Sequence, residues 1–275
     1  AGLRDDVHVA PAAGVYFYRF NCRPTVNGKP NPLADPRVRR ALTMTVDRQY
    51  LVDRVTRQGQ RPMTTLVPQG AVRGYEPPVA SGLAFDPEAA KKLLAEAGYP
   101  NGEGLDGLDF LYNTGSGHEF AGQAILQGWR KHLGIKMSMQ GRTWGELLES
   151  AKQGDFLILR SSWFGDYQDP TTWLDMFREE DGNNHGHYIS KAYEQKLADA
   201  AAEFDTAKRL ALLAEAETIL LEDCPILPIY QYVNIHMFKP DRVTDLPLNA
   251  WSRYAIHRIN VIDQAAQAQQ QQEGN

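Results

Sequence analysis

Three observations predict an α/β fold for this chain. Apolar or aromatic runs of strand length alternate with segments of helical periodicity along nearly its whole length. Asp-Pro pairs at 35–36, 86–87 and 169–170 stand where helices should begin. The Asp side chain accepts from free N–H groups of the first turn, and Pro is pre-set to helical φ. Gly98, Gly134 and Gly154 stand where helices should end, since a positive φ just past a helix is strain-free for glycine.

Val15 to Phe20 is rich in aromatic residues and reads as a central strand. A loop of Pro, Asn and Gly from Arg23 to Leu33 leads to Asp35-Pro36. After it Val38, Ala41, Leu42, Val46, Leu51 and Val55 recur at the spacing of one helix. Prolines make the stretch from Gly59 to Ser81 extended and irregular. A helix over 88–97, a strand from Leu108 to Tyr112, a helix over 119–133 and a strand from Ile135 to Met139 follow. Thr143 and Glu146 have the spacing of a capping box for a helix to about Lys152.

Phe156 to Leu159 reads as a buried strand that ends in Arg160, Ser161, Ser162 and Trp163, then Gly165-Asp166. Asp169 is the expected N-cap of the next helix, with Pro170 at its first position. Ser190 caps a helix to about Ala202, and another runs from about Ala207 to Glu222. Pro225 to Tyr232 reads as a strand that Val233 to Phe238 continues or reverses. Tyr254 to Val261 is the last segment with a structural pattern. The Gln-rich stretch from Asp263 to Asn275 has little to bury and is expected to be disordered.

The 275 residues suffice for one large domain or two small ones, with 43% hydrophobic and 23% charged residues. A net charge of −5 argues against a nucleic-acid partner, which calls for a basic face. No apolar run is long enough to cross a membrane as a helix. Cys22 and Cys224 are too few for a metal site; they could pair if strands bring them together, and free, buried thiols are the favoured reading. His185 and His187 lack companions to complete a ligand set, and Gly115-Ser-Gly-His118 lacks the pattern of a nucleophile elbow. No Gly-rich phosphate loop is present. The expectation is a protein without cofactor or catalytic residues.

The junction from Arg160 to Asp166 brings a guanidinium, an indole and a carboxylate to a strand end, where α/β sheets gather ligands. For Asp166 the choice lies between a ligand contact and a turn cap. Asp169 is better placed for capping, which favours the ligand role for Asp166.

Six segments in order carry a family resemblance: Tyr16-Phe-Tyr-Arg-Phe-Asn21; Asp35-Pro-Arg-Val-Arg-Arg-Ala-Leu42 with Asp47-Arg48; Ala90-Lys-Lys-Leu-Leu-Ala-Glu-Ala-Gly-Tyr99; Trp163-Phe-Gly-Asp-Tyr-Gln-Asp-Pro170; Asn184 with His187-Tyr188 and Ser190; and Pro225-Ile-Leu-Pro-Ile-Tyr230. Over about residues 8 to 262 the chain resembles the C-terminal half of the extracytoplasmic oligopeptide- and dipeptide-binding proteins of ABC importers, solute-binding protein family 5. The resemblance implies the C-terminal lobe of a periplasmic-binding-protein fold (type II-like, cluster C). Residues 12–232 would form the peptide-binding lobe, with 1–11 and 233–262 belonging to a first lobe that mostly lies upstream. The chain is therefore expected to be a fragment.

The resemblance further implies that Asp166 receives the peptide's N-terminal ammonium. Arg160 would line the cleft, meet an acidic residue of the closed state, or form a structural salt bridge. Trp163 and Trp144 would border side-chain pockets or pack as core, and Tyr232, Phe164 and Ser162 would lie in the cleft. Ala151 stands where some relatives carry a second arginine, which removes one means of holding a carboxylate. A peptide ligand and a membrane permease are the implied partners of a monomer. The location would be periplasmic or extracytoplasmic, with any lipid anchor upstream. The alternatives are a peptidase or amidase whose catalytic residues lie in the missing half, and a peptide-binding sensor or chaperone.

Overall fold

A computed structural model describes residues 4–79 and 82–262. Six strands form one mixed sheet: β1 (Val7–Phe20), β2 (Arg61–Pro62), β3 (Asp109–Asn113), β4 (Ser138–Arg142), β5 (Ile158–Phe164) and β6 (Ile226–Met237). Their spatial order is β2-β6-β1-β5-β3-β4. β1 lies antiparallel to both β5 and β6, while β3 lies parallel to β4 and β5. The helices include α1 (Pro36–Met44), α2 (Pro87–Glu96), α3 (His118–Leu133), α4 (Trp144–Gln153), α5 (Thr171–Leu174), α6 (Lys191–Ala202) and α7 (Thr206–Asp223), with a short helical segment over 48–56 between α1 and α2.

The alternation of β1 divides two cores. Tyr16, Tyr18 and Phe20 face one, packed with Val38 and Leu42 of α1, Leu94 of α2 and Trp129 of α3. Val15 and Phe17 face the other, with Trp173, Tyr193, Leu213 and Leu220. Helices thus cover both faces of the sheet, as its strand–helix alternation requires.

The expected helix starts hold where the capping chemistry is local. Asp35, Asp86, Thr143 and Ser190 each accept a first-turn N–H, and Thr143 with Glu146 closes a full capping box. Gly134 and Gly154 end their helices at positive φ.

Four expectations need correction. The helix from Asp35 does not run to Val55: it stops at Met44, and Asp47 caps a new turn. There Arg48 is buried and donates to the Pro228 and Leu83 carbonyls at 2.7 and 2.9 Å, fixing a change of direction. The strand expected at Ile135 begins at Ser138, where parallel pairing with Asp109 starts. β1 begins at Val7 rather than Val15, because its first residues pair with the far half of β6, past a register shift between Pro11 and Val15. The strand expected over Phe156 to Leu159 runs from Ile158 to Phe164.

β1 and β6 are each continuous across residues 11–12 and 232–233. Val233 to Phe238 continues the strand rather than reversing, as far as Met237. Cys22 and Cys224 are free, the first half-buried and the second buried. The expectation of a disordered tail over 263–275 falls outside the described residues.

Candidate ligand-binding site

Arg160 to Phe164 belong to β5 because the antiparallel ladder to β1 continues until Phe164 stands opposite Gly14. Successive side chains therefore point to opposite faces of the sheet. Arg160, Ser162 and Phe164 pair with Tyr18, Tyr16 and Gly14 on one face; Ser161 and Trp163 pair with Phe17 and Val15 on the other. Residues adjacent in sequence thus face opposite sides of the sheet, although Arg160 and Ser162 border a cavity on each.

The first cavity, of about 570 Å³, collects Arg160, Ser162, Phe164 and Tyr232 with Tyr16 and His118. Tyr16 stacks on Tyr230 at 4.6 Å and on His118 at 5.5 Å, and Tyr232 meets Phe164 at 4.8 Å. The Arg160 guanidinium lies 4.9 Å from the centre of the Tyr16 ring. It donates to Tyr232 Oη at 2.8 Å and to Asn113 Oδ1 at 3.3 Å, while its buried Nε has no partner. No carboxylate among the described residues pairs with it. Burial, reinforced by the Arg160 charge, pulls the His118 pKa down to about 4, so the imidazole is neutral at neutral pH. Burial pushes the Tyr16 hydroxyl up to about 12, with the Arg160 charge opposing it. The groove therefore offers one fixed positive charge with spare donors among neutral rings.

The second cavity, of about 190 Å³, lies between α4 and the opposite face of the sheet. Trp144 and Trp163 border it, with Ala151 and Arg19. Trp144 is 56% exposed, whereas Trp163 packs partly against the second core and its Nε1 is buried without a partner.

Between the cavities runs an open strand edge. β3 pairs with β5 only at Ile158 and Leu159, whereas β1 follows β5 to Phe164. From Arg160 to Phe164 the edge facing away from β1 has no ladder partner among the described residues. Such an edge is a template for an added strand.

Asp166 lies beyond this edge and lines neither cavity. Its backbone is pinned: the N–H donates to Thr172 Oγ1 at 2.9 Å, and the carbonyl accepts from Arg253 at 3.1 Å. Its side chain is exposed, and no group among the described residues bonds the carboxylate. Asp169 differs. It accepts from the Thr171 N–H at 3.1 Å and holds Arg209 with both oxygens, at 2.6 and 3.0 Å. The helix it supports begins at Thr171, one position later than expected. Gly165 sets the bend between strand and Asp166: a Cβ there would stand 2.6 Å from Trp173 and 2.7 Å from Trp251.

Tyr16, Asn113, Tyr230 and His118 escaped the reading of the sequence as site residues. They come from four separate segments, and only His118 left a usable signal, at the helix start following a strand end.

The lobe thus carries an open-edged strand between two cavities. The chain belongs to the bacterial extracellular solute-binding proteins, family 5, whose middle region matches residues 2–185. The periplasmic murein peptide-binding protein MppA of Escherichia coli K12 is 36% identical over 238 residues, 85% of this chain and 43% of the relative. The periplasmic oligopeptide-binding protein OppA of the same organism is 35% identical over 250 residues, again 43% of its length. The unliganded open form of MppA superimposes with a TM-score of 0.84 at 32% identity, over 95% of this chain and 50% of that one. The chain thus spans about half the length of the relatives it matches.

Proposed function

We propose that this chain is the C-terminal half of an extracytoplasmic peptide-binding protein that delivers its ligand to an ABC permease. The observation that carries the reading is the unpaired edge of β5 from Arg160 to Phe164, flanked by a cavity on each face and followed by the free carboxylate of Asp166. An extended peptide adds to such an edge through main-chain hydrogen bonds, which ignore side-chain identity. Its alternate side chains then fall to opposite faces, where Ser162, Phe164 and Tyr232 meet one set and Trp144 and Trp163 the other. Asp166 receives the N-terminal ammonium in a charge-assisted hydrogen bond. Arg160 offers spare donors to a peptide carbonyl or carboxylate.

Residues 12–232 act as the binding lobe, and 4–11 with 233–262 lead toward the other lobe, which closes over the ligand by a hinge. The protein works by capture and release, as a monomer without catalysis, outside the cytoplasm and lipid-anchored where an upstream cysteine permits. The names of the relatives, one for murein peptides and one for oligopeptides, support a peptide ligand.

Native mass spectrometry of the complete protein purified from cells tests the reading. The expected result is a set of retained masses that fragment as peptides. A retained sugar or metal chelate, or hydrolysis of an added fluorogenic peptide, would overturn it.

A further inference from the structure

Arg19 occupies an unusual position. It is 4% exposed, yet no carboxylate among the described residues forms an ion pair with it. Its guanidinium sits between the Phe17 and Phe177 rings at 5.7 and 5.3 Å. One terminal nitrogen donates to the Asn183 carbonyl and the other reaches only Met176 Sδ, at 3.9 Å. Its Nε has no partner. The Asp181 carboxylate, the acidic group that favours the Arg19 charge from a distance, is occupied with the Asn183 N–H and Nδ2 at 2.7 and 3.1 Å. A buried charge with no counterion is unfavourable unless something else supplies one.

Arg19 borders the cavity between Trp144 and Trp163. The remaining polar lining consists of Arg160, whose guanidinium is turned to Tyr232 and Asn113, the Trp163 Nε1–H, which is also unpartnered, the Ser161 and Ser162 hydroxyls, Asn183 and His185. No acidic side chain borders it. At about 190 Å³ the space is smaller than the roughly 300 Å³ at which whole-ligand pockets begin, and suits one side chain. Ala151 adds no charge of its own to the wall that Arg19 and Arg160 border.

We propose that this cavity is a subsite for an acidic side chain of the bound peptide, and that Arg19 is the residue that sets the preference. The subsite rests on the peptide reading. A glutamate or aspartate entering between the indoles places its carboxylate against the guanidinium, supplying the missing counterion. The Trp163 Nε1–H and the Ser161 hydroxyl are further donors to the same carboxylate, and Trp144 covers the mouth.

The test is calorimetry on the complete two-lobed protein with Ala-Ala-Ala and with tripeptides carrying Glu or Gln at each position in turn. At one position Glu should bind roughly tenfold tighter than Gln, the margin of a charge-assisted over a neutral hydrogen bond. Arg19→Met, checked for folding by circular dichroism, should close that gap. Should Arg19→Met fail to fold, Trp144→Asp places a negative charge at an exposed mouth and should close it by repulsion. Equal binding of Glu and Gln at every position, with Ala-Ala-Ala bound, would overturn the subsite and leave the peptide reading standing. Failure of every tripeptide to bind would remove both.

Discussion

Glu217 is fully buried in α7, and its carboxylate holds the irregular segment before α2 in place. It accepts from the Leu66 and Val67 N–H groups at 2.6 and 2.9 Å and from Tyr75 Oη at 2.5 Å. Burial raises its pKa to about 7 although all three donors oppose the shift. The acid holds its proton more tightly when folded, so its contribution is fully present below the unfolded value of 4.5 and is lost as pH rises through about 7. The span from 4.5 to 7 corresponds to roughly 3 kcal/mol between pH 4 and pH 8.

Glu217→Gln keeps the shape and an acceptor for Leu66 and Val67 but removes the titration. Urea denaturation of both proteins at the two pH values isolates this group, since the remaining carboxylates cancel. The stability difference should move by roughly 3 kcal/mol in favour of the Gln variant between pH 4 and pH 8. A pH-independent difference would refute the reasoning. The consequence reaches the site, because the same segment accepts from Trp251 Nε1 through the Ala71 carbonyl at 2.9 Å, and Trp251 packs against Gly165.

Two further substitutions follow from the geometry. Gly165→Ala drives a methyl group into Trp173 and Trp251, so a loss of about 1–3 kcal/mol in thermal unfolding is expected, with weaker ligand binding as Asp166 shifts. Asn21 is fully buried and donates to the Gly154 and Phe156 carbonyls at 3.0 and 2.9 Å, tying the end of β1 to the entry of β5. Asn21→Ala leaves the Phe156 carbonyl unpaired and the Gly154 carbonyl with Arg23 alone, and denaturant titration should show a loss of about 1–3 kcal/mol.

What the sequence disclosed was the chemistry carried by neighbouring residues. Asp35 with Pro36, Asp86 with Pro87, and Thr143 with Glu146 act within one helical turn, so their roles were legible without tertiary context. The break at Thr45 was not, because it depends on Arg48 reaching carbonyls in β6 and at Leu83. The start of β4 was set by pairing with β3, which no local pattern records. The segment from Arg160 to Asp166 shows the same division. The motif Trp163-Phe164-Gly165-Asp166 announced itself, but taking Arg160 to Trp163 as chain beyond the strand concealed the alternation that sends them to two faces. Tyr16 and His118 joined Arg160 only through folding.

In the proposed reading Asp166 receives the positive end of an extended peptide. Calorimetry on the complete two-lobed protein tests it most directly, comparing the parent with Asp166→Asn against one peptide in free and N-acetylated forms. The substitution is expected to weaken the free peptide by about 1.5–3 kcal/mol, acetylation to weaken the parent by a similar amount, and the two losses not to add. Unchanged affinity for the free peptide in Asp166→Asn would contradict it.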